Sequence, residues 1–359
     1  MLISDLITIL ENIAPPDLAN DKDSIGLQVG DRGHEVRRVC VSLDTTREII
    51  DQAISLRADI LVSHHPLIRD PLAFVSGDDP VARRVISLVV SDTALYVMHT
   101  NFDAAPGGTN DVIADLLGLV DRSPLEANRR DPFCKIAVFV PEDHVEGVRN
   151  AMAEAGAGRI GMYTHCSFRT PGVGTFVPLP LARPFIGSVG KLEEVEEYRL
   201  EMICAGSWLE EVLAAMLEAH PYEEVTYDVY ELANEPITYG YGRVGNLKSE
   251  TTLPEFAEIV RSALAPKYMK VEGDSSKPIR RVALCTGSGS GLWADAVKAG
   301  ADVYVTGDTK HHDILDANAA GLAIIDAGHF DTEAPGMRSL AERLRLSLGG
   351  SGVEVTYIQ

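Results

Sequence analysis

The sequence predicts an α/β protein: mostly parallel sheets with flanking helices, built from two related halves of the chain, with a ferredoxin-like α+β domain inserted between them. Three observations predict it. In the first third, short β-branched runs alternate with amphipathic stretches; the last third repeats that habit; the middle changes to a different order of elements. The expected divisions are residues 1–128 and 237–359 for the two halves of one α/β domain and residues 129–236 for the insertion.

Taken in order, MLISDLITIL carries Asp5 and no basic residue, so it reads as an amphipathic helix rather than a signal peptide. VCVSLD, REIIDQAISL, ADILVS, VARRVISLVV, ALYVMH and TNDVIADLLG then read as strand and helix in turn. In the insertion, CKIAVFVP is a strand, HVEGVRNAMAEAG a helix, and YTHCSF with GTFVP a pair of strands. YRLEMICA follows as a strand, WLEEVLAAMLEAH as a helix and VTYDVYEL as a closing strand, with the polar stretches EANRRDP and ANEPITYG bounding the module. RVALCTG, LWADAVKAG, ADVYVTG, DILDANAAG, LAIIDAG and a helix through Met337 to Leu348 complete the second half. The separation of Val39 from Ala58 equals that of Val282 from Ala301. At that offset Ala53, Asp59, Val62 and Ser63 meet Ala296, Asp302, Val305 and Thr306, which predicts an internal duplication.

Hydrophobic residues make up 45% of the 359 and charged residues 24%, ordinary values for a compact globular chain. Thirty-two Lys and Arg against 53 Asp and Glu give a formal charge of −21. That charge opposes a phosphate backbone or an anionic bilayer, so neither nucleic acid nor membrane is expected as a partner. No apolar run approaches the roughly 18 residues that a membrane span requires. Five scattered cysteines without a CxxC pair exclude a disulfide framework and a thiolate zinc site, and predict a cytoplasmic location.

The chemistry is expected at three strand ends. His64 and His65 follow ADILVS and precede Pro66; His99 ends ALYVMH, with Asp103 in the loop beyond; His329 follows LAIIDAG, with Glu333 four residues on. Side chains at the carboxyl ends of parallel strands converge on the crevice where open α/β folds bind ligands. Imidazoles and carboxylates in that number exceed the three protein ligands of a catalytic zinc and suit a pair of divalent ions bridged by a carboxylate. Zinc, iron, manganese, cobalt and nickel all accept such donors, and the residues do not choose among them. TGDTKHHD occupies the equivalent strand end of the second half, placing Asp308 and His312 with His99 as catalytic candidates, as ligand-orienting or acid–base groups. GSGSG, Gly287 to Gly291, has the place of a phosphate-binding turn but lacks the endings of the known nucleotide motifs. For His165 and His220, in the insertion, a packing or edge role is expected.

SHHPL, HTNFDAAPGGTND, TGDTKHHD and DAGHFDTE together resemble the NGG-interacting-factor-three-like family of dinuclear metal centre proteins, also called GTP cyclohydrolase 1 type 2 homologs. The resemblance spans essentially the whole chain, including IGLQVG, SFRTPGVGTF and HPYEEVTYDVY, and is to the long bacterial form whose middle domain is similar to PII and CutA. It implies His64, His65, Asp103, His329 and Glu333 as metal ligands and two divalent ions per chain. It also implies a toroidal homohexamer and a hydrolase that opens the guanine imidazole ring with release of formate. A small molecule, such as a nucleotide, is then the partner expected. Two other readings stay open here: a metal chaperone or store, and a regulatory hexameric scaffold without turnover.

Overall fold

The structure is a computed structural model that describes residues 1–161 and 163–359. The chain begins with α1 (Ile3–Ile13), β1 (Gly26–Val29), β2 (Arg38–Ser42), α2 (Arg47–Ser55), β3 (Ile60–Ser63), α3 (Pro80–Val90), β4 (Ala94–Val97), α4 (Thr100–Ala104), α5 (Thr109–Leu116) and β5 (Val120–Asp131). The middle holds β6 (Phe133–Pro141), α6 (Val145–Glu154), β7 (Ser167–Phe176), β8 (Glu193–Ala205), α7 (Leu209–Ala219) and β9 (Tyr227–Glu231). The remainder is β10 (Ile237–Thr252), α8 (Leu253–Leu264), β11 (Lys270–Glu272), β12 (Pro278–Leu284), α9 (Trp293–Lys298), β13 (Val303–Thr306), α10 (His311–Ala319), β14 (Ala323–Asp326), α11 (His329–Ser347) and β15 (Glu354–Tyr357). This mixed α/β architecture has three sheets among the described residues. The chain divides into two compact units, residues 1–129 with 239–359, and residues 130–238.

The first unit contains two sheets, ordered β1-β4-β3-β2-β15 and β11-β14-β13-β12-β10-β5. β4, β3, β2 and β15 run parallel in the first and β14, β13 and β12 in the second, and in each a short antiparallel strand closes one edge, β1 on β4 and β11 on β14. The central strands ILVS, ALYV and VYVT are buried along their whole length, as parallel strands covered on both faces must be. The duplication reaches the hydrogen bonds. Val39 pairs with Ile60 as Val282 pairs with Val303. Asp59 Oδ2 accepts from the amides of Arg37 and Arg38, and Asp302 Oδ2 accepts from those of Arg280 and Arg281. Each aspartate thereby pins the entry of its own first parallel strand.

Helix boundaries follow local chemistry. Thr46 caps α2 and Asp79 caps α3 ahead of Pro80, while Thr252 and Glu255 form a reciprocal capping box on α8. α1 buries Ile3, Leu6, Ile7 and Leu10, one stripe at helical spacing. α11 begins at His329, a turn and more before the helix expected from Met337, and carries Pro335 within it. Its Gly336 lies so close to α5 that a Cβ there would meet Thr109 Cα at 2.8 Å.

In the second unit the four strands are antiparallel in the order β7-β8-β6-β9, with α6 and α7 and a separate apolar core around Val148, Met152, Met202 and Met216. One expectation changes here. YTHCSF and GTFVP are not two strands: β7 runs unbroken through Pro171 and Gly174, which an edge strand tolerates because its outer N–H positions need no partner. The boundaries of the second unit fall within EANRRDP and ANEPITYG, and β5 and β10 run into these stretches and pair in the second sheet. His220 is buried with Nε2 at 3.0 Å from the Phe139 carbonyl oxygen, whereas His165 is exposed.

Candidate metal centre

Within the first unit, the carboxyl ends of both sheets meet. His64 and His65 leave β3 still bonded to the neighbouring chain, their amides donating to the carbonyls of Ser42 and Leu43. Two residues beyond β4, His99 precedes α4, whose first turn carries Asp103. Asp308 follows β13 in a left-handed conformation, φ 52°, and Gly307 beside it lies so close that a Cβ would meet the His329 amide nitrogen at 2.6 Å. β14 leads through Gly328 into α11, whose first turn presents His329 and Glu333 together.

Each of the four imidazoles has its Nδ1 committed. His64 Nδ1 lies 2.8 Å from the Met98 carbonyl oxygen, His65 Nδ1 2.7 Å from Asp44 Oδ1, His99 Nδ1 2.9 Å from Asp23 Oδ1, and His329 Nδ1 2.6 Å from Asp308 Oδ2. Carbonyls and carboxylates only accept, so every Nδ1 carries the proton and every Nε2 is left for another cation. The Nε2 atoms converge: those of His65 and His329 are 3.2 Å apart, and each lies 3.0 Å from Glu333 Oε2. Neither approach to Oε2 is aligned as a hydrogen bond. His64 Nε2, fully buried and without a hydrogen-bond partner, lies 3.6 Å from Asp103 Oδ1 and 3.7 Å from Glu333 Oε1.

The donors therefore form two overlapping groups, His65 with His329 and Glu333, and His64 with Asp103 and Glu333. Glu333 offers one oxygen to each. A third group joins His64, His65 and His99. Facing nitrogen lone pairs repel one another, and a buried nitrogen without a partner is costly, so a cation between the donors satisfies both. The nitrogen and oxygen set suits a divalent ion, and the carbonyl or carboxylate behind every imidazole is the arrangement that fixes metal-binding histidines.

On its own the cluster holds protons tightly. Glu333, aided by Asp308, pushes His329 up to about 9 against burial; at His65 burial works downward, but Asp44 and Glu333 push it up to about 9. Burial and the charge of Glu333 raise Asp103. Burial alone would raise Glu333 too, but His64, His329 and His65 hold it well below the carboxylate range.

The other candidates separate. Asp308 orients His329 and accepts from Ser288 Oγ at 2.6 Å, a positioning role. His312 is exposed in the first turn of α10, beside His311, and belongs to none of the groups of converging donors found among the described residues. The physical reason is that Gly307 and Asp308, not His312, occupy the positions equivalent to His64 and His65. GSGSG packs against the cluster: a Cβ on Gly287, φ 64°, would stand 2.0 Å from Glu333 Oε1. Asp44 and Asp23 were missed from sequence, although Asp44 sits at the carboxyl end of β2, where the same rule finds the histidines. Thr109, whose hydroxyl bonds Asp103, was missed as well. Beside His65 opens a cavity of about 490 Å³.

An α/β protein whose duplicated sheets bring histidines and carboxylates to one buried cluster is defined by these features, and comparison with known proteins narrows the class. The model of the Duf34/NIF3 (NGG1p interacting factor 3) family matches residues 1–359, and the chain belongs to that family. It is 42% identical over 325 residues to the "GTP cyclohydrolase 1 type 2 homolog" of Bacillus subtilis, covering 90% of this chain and 87% of that one. The protein of the same name from Mycobacterium tuberculosis is 37% identical over 353 residues, covering 97% and 93%. Among solved structures, the Bacillus cereus protein related to NIF3 superposes with a TM-score of 0.88 at 40% identity, over 100% of this chain and 97% of that one. No described helix is long and apolar enough to cross a membrane.

Proposed function

We propose that the cluster binds two divalent cations per chain and that the protein is a metal-dependent hydrolase of a small molecule, a nucleotide of the GTP type. His65, His329 and Glu333 would hold one ion; His64, Asp103 and Glu333 the other, with Glu333 between them. The observation that carries this reading is the convergence of three Nε2 atoms, each on a ring whose Nδ1 is fixed by an acceptor, around one buried carboxylate. When bound, such a pair of ions lowers the pKa of water and polarises the oxygen that gains charge.

The chain's own residues supply the rest. Asp44, Asp23 and Asp308 keep the imidazoles in one tautomer and one orientation, and Thr109 orients Asp103. His99 lies at the edge of the cluster, its Nδ1 held by Asp23. Ring opening consumes two waters: the first adds at C8 of guanine and opens the imidazole ring to a formamide, and the second releases C8 as formate. The cavity beside His65 gives a substrate room at the metals.

The proposal extends the family resemblance to a homohexamer in the cytoplasm, with residues 129–236 as an accessory ferredoxin-like domain. Light scattering then returns a mass six times the 38.8 kDa chain. The activity test assays GTP loss and formate release on metal-loaded protein and on His65→Ala. Turnover in the parent and its loss in the variant support the hydrolase. Two bound ions without turnover on GTP or a nucleotide panel refute it.

A further inference from the structure

The cavity beside His65 carries charges that the metal cluster does not use. Its wall is the loop after β3 together with the starts of α2 and α3, and it includes Arg69 and Arg84. The half-buried Arg84 is anchored by carbonyls alone, its Nη1 donating to Thr45 O at 2.7 Å and its Nε to Pro80 O at 3.1 Å. Neither guanidinium forms an ion pair with a carboxylate among the described residues.

The carboxylates on the same wall are mostly spoken for. Asp44 accepts from His65 Nδ1, and Asp79 accepts from the amides of Val81 and Ala82 at the start of α3. Asp70 remains, with exposed Glu48 on the first turn of α2 near enough to sense Arg84. Two guanidinium groups without a carboxylate ion pair thus stand beside a metal-competent cluster, on a wall that also carries Asp44, Asp70 and Asp79. A guanidinium is always charged, and its planar fork matches an oxyanion through two parallel N–H bonds. The volume lies within the roughly 300–1,000 Å³ of small-molecule sites.

From this we infer that the cavity is an oxyanion subsite: Arg69 and Arg84 hold a phosphate or carboxylate of the small molecule whose reacting end meets the metals. The inference rests on the reading that the cluster serves a substrate, and it adds which chemistry that substrate carries and which residues recognise it.

The test is equilibrium binding by calorimetry to the metal-loaded full chain, with three probes that differ at one position: guanosine 5′-monophosphate, guanosine 5′-carboxylate and guanosine. The expected result is that at least one anionic probe binds ten times more tightly than guanosine. That advantage falls to threefold or less in Arg69→Gln/Arg84→Gln, with metal content unchanged. Because Arg84 also braces Thr45, the exposed Arg69→Gln alone serves as the conservative variant and is expected to lose at least threefold of the advantage. A phosphate-only advantage identifies a phosphate subsite; an equal one for both anions identifies a general oxyanion subsite. No advantage over guanosine in the parent, or one that survives the double variant, overturns the inference. Binding is read independently of turnover: an intact charge advantage without GTP hydrolysis sinks the hydrolase reading and leaves the subsite standing.

Discussion

Replacing Asp44 by alanine removes the acceptor that fixes His65. Its Oδ1 lies 2.7 Å from His65 Nδ1, on the side of the ring opposite the Nε2 that faces Glu333 and His329. Without that acceptor the ring rotates, the other tautomer becomes accessible, and the negative charge that makes Nε2 a stronger donor is gone. Loss of such an outer partner costs about 10–100-fold in metal affinity, and Asp44 is 37% exposed, so its charge is partly screened and the lower part of that range applies. Asp44→Ala is therefore expected to weaken zinc binding about tenfold, or about 1.4 kcal/mol. Asp44→Asn keeps an acceptor but no charge and should fall between parent and alanine. Competition against a chromophoric chelator reads the affinity, and far-ultraviolet dichroism checks that the fold is unchanged. An affinity within twofold of the parent in Asp44→Ala would refute the claim that the carboxylates behind the imidazoles tune the centre.

Three further perturbations follow from other contacts. Gly287→Ala places a Cβ at 2.0 Å from Glu333 Oε1 on a backbone of φ 64°; bound metal should drop below half the parental amount while the dichroism spectrum persists, and full loading would show that Glu333 is not held there. Asp111→Ala leaves Arg243, only 5% exposed, without the carboxylate at 2.6 and 2.9 Å from its Nε and Nη2. A loss of about 3 kcal/mol in urea unfolding is expected, and a change under 1 kcal/mol would contradict the role assigned to the pair. Burial would raise Asp111, but Arg243 holds it below the ordinary range. The pair's contribution is therefore complete above the unfolded carboxyl value of about 3.9 and is lost as pH falls through the lower folded value, and Asp111→Ala should flatten the acid limb of the stability curve. Finally, with His65 and His329 at about 9 in the metal-free chain, metal uptake at pH 7 must displace protons. Apparent affinity should climb with pH until about 9, and titration calorimetry in buffers of different ionisation enthalpy should register the release; uptake without proton release would contradict it.

Much of the fold was legible because its strands are short, β-branched and fully buried, and because the two halves repeat both spacing and aspartate placement. The candidate ligands were legible for one physical reason: parallel strands deliver their carboxyl-terminal residues to a common crevice. What stayed hidden lacked periodicity or local signal. β5 and β10 pass through polar stretches, so neither showed the alternation that marks a half-buried strand. β7 contains the proline and glycines that normally punctuate a turn. Asp23 sits in a loop far from His99 along the chain, and only tertiary structure pairs them. His312 was drawn in by its motif, yet the helix that starts at His311 leaves it exposed.

The central claim is the metal centre itself, and elemental analysis tests it most directly. Parent and Glu333→Ala are each loaded with a divalent metal, freed of excess by gel filtration and measured by mass spectrometry against protein concentration. Two ions per chain are expected in the parent and fewer than one in the variant, because one carboxylate serves both groups of donors. A parent that retains no stoichiometric metal, or a variant that retains as much as the parent, would contradict it.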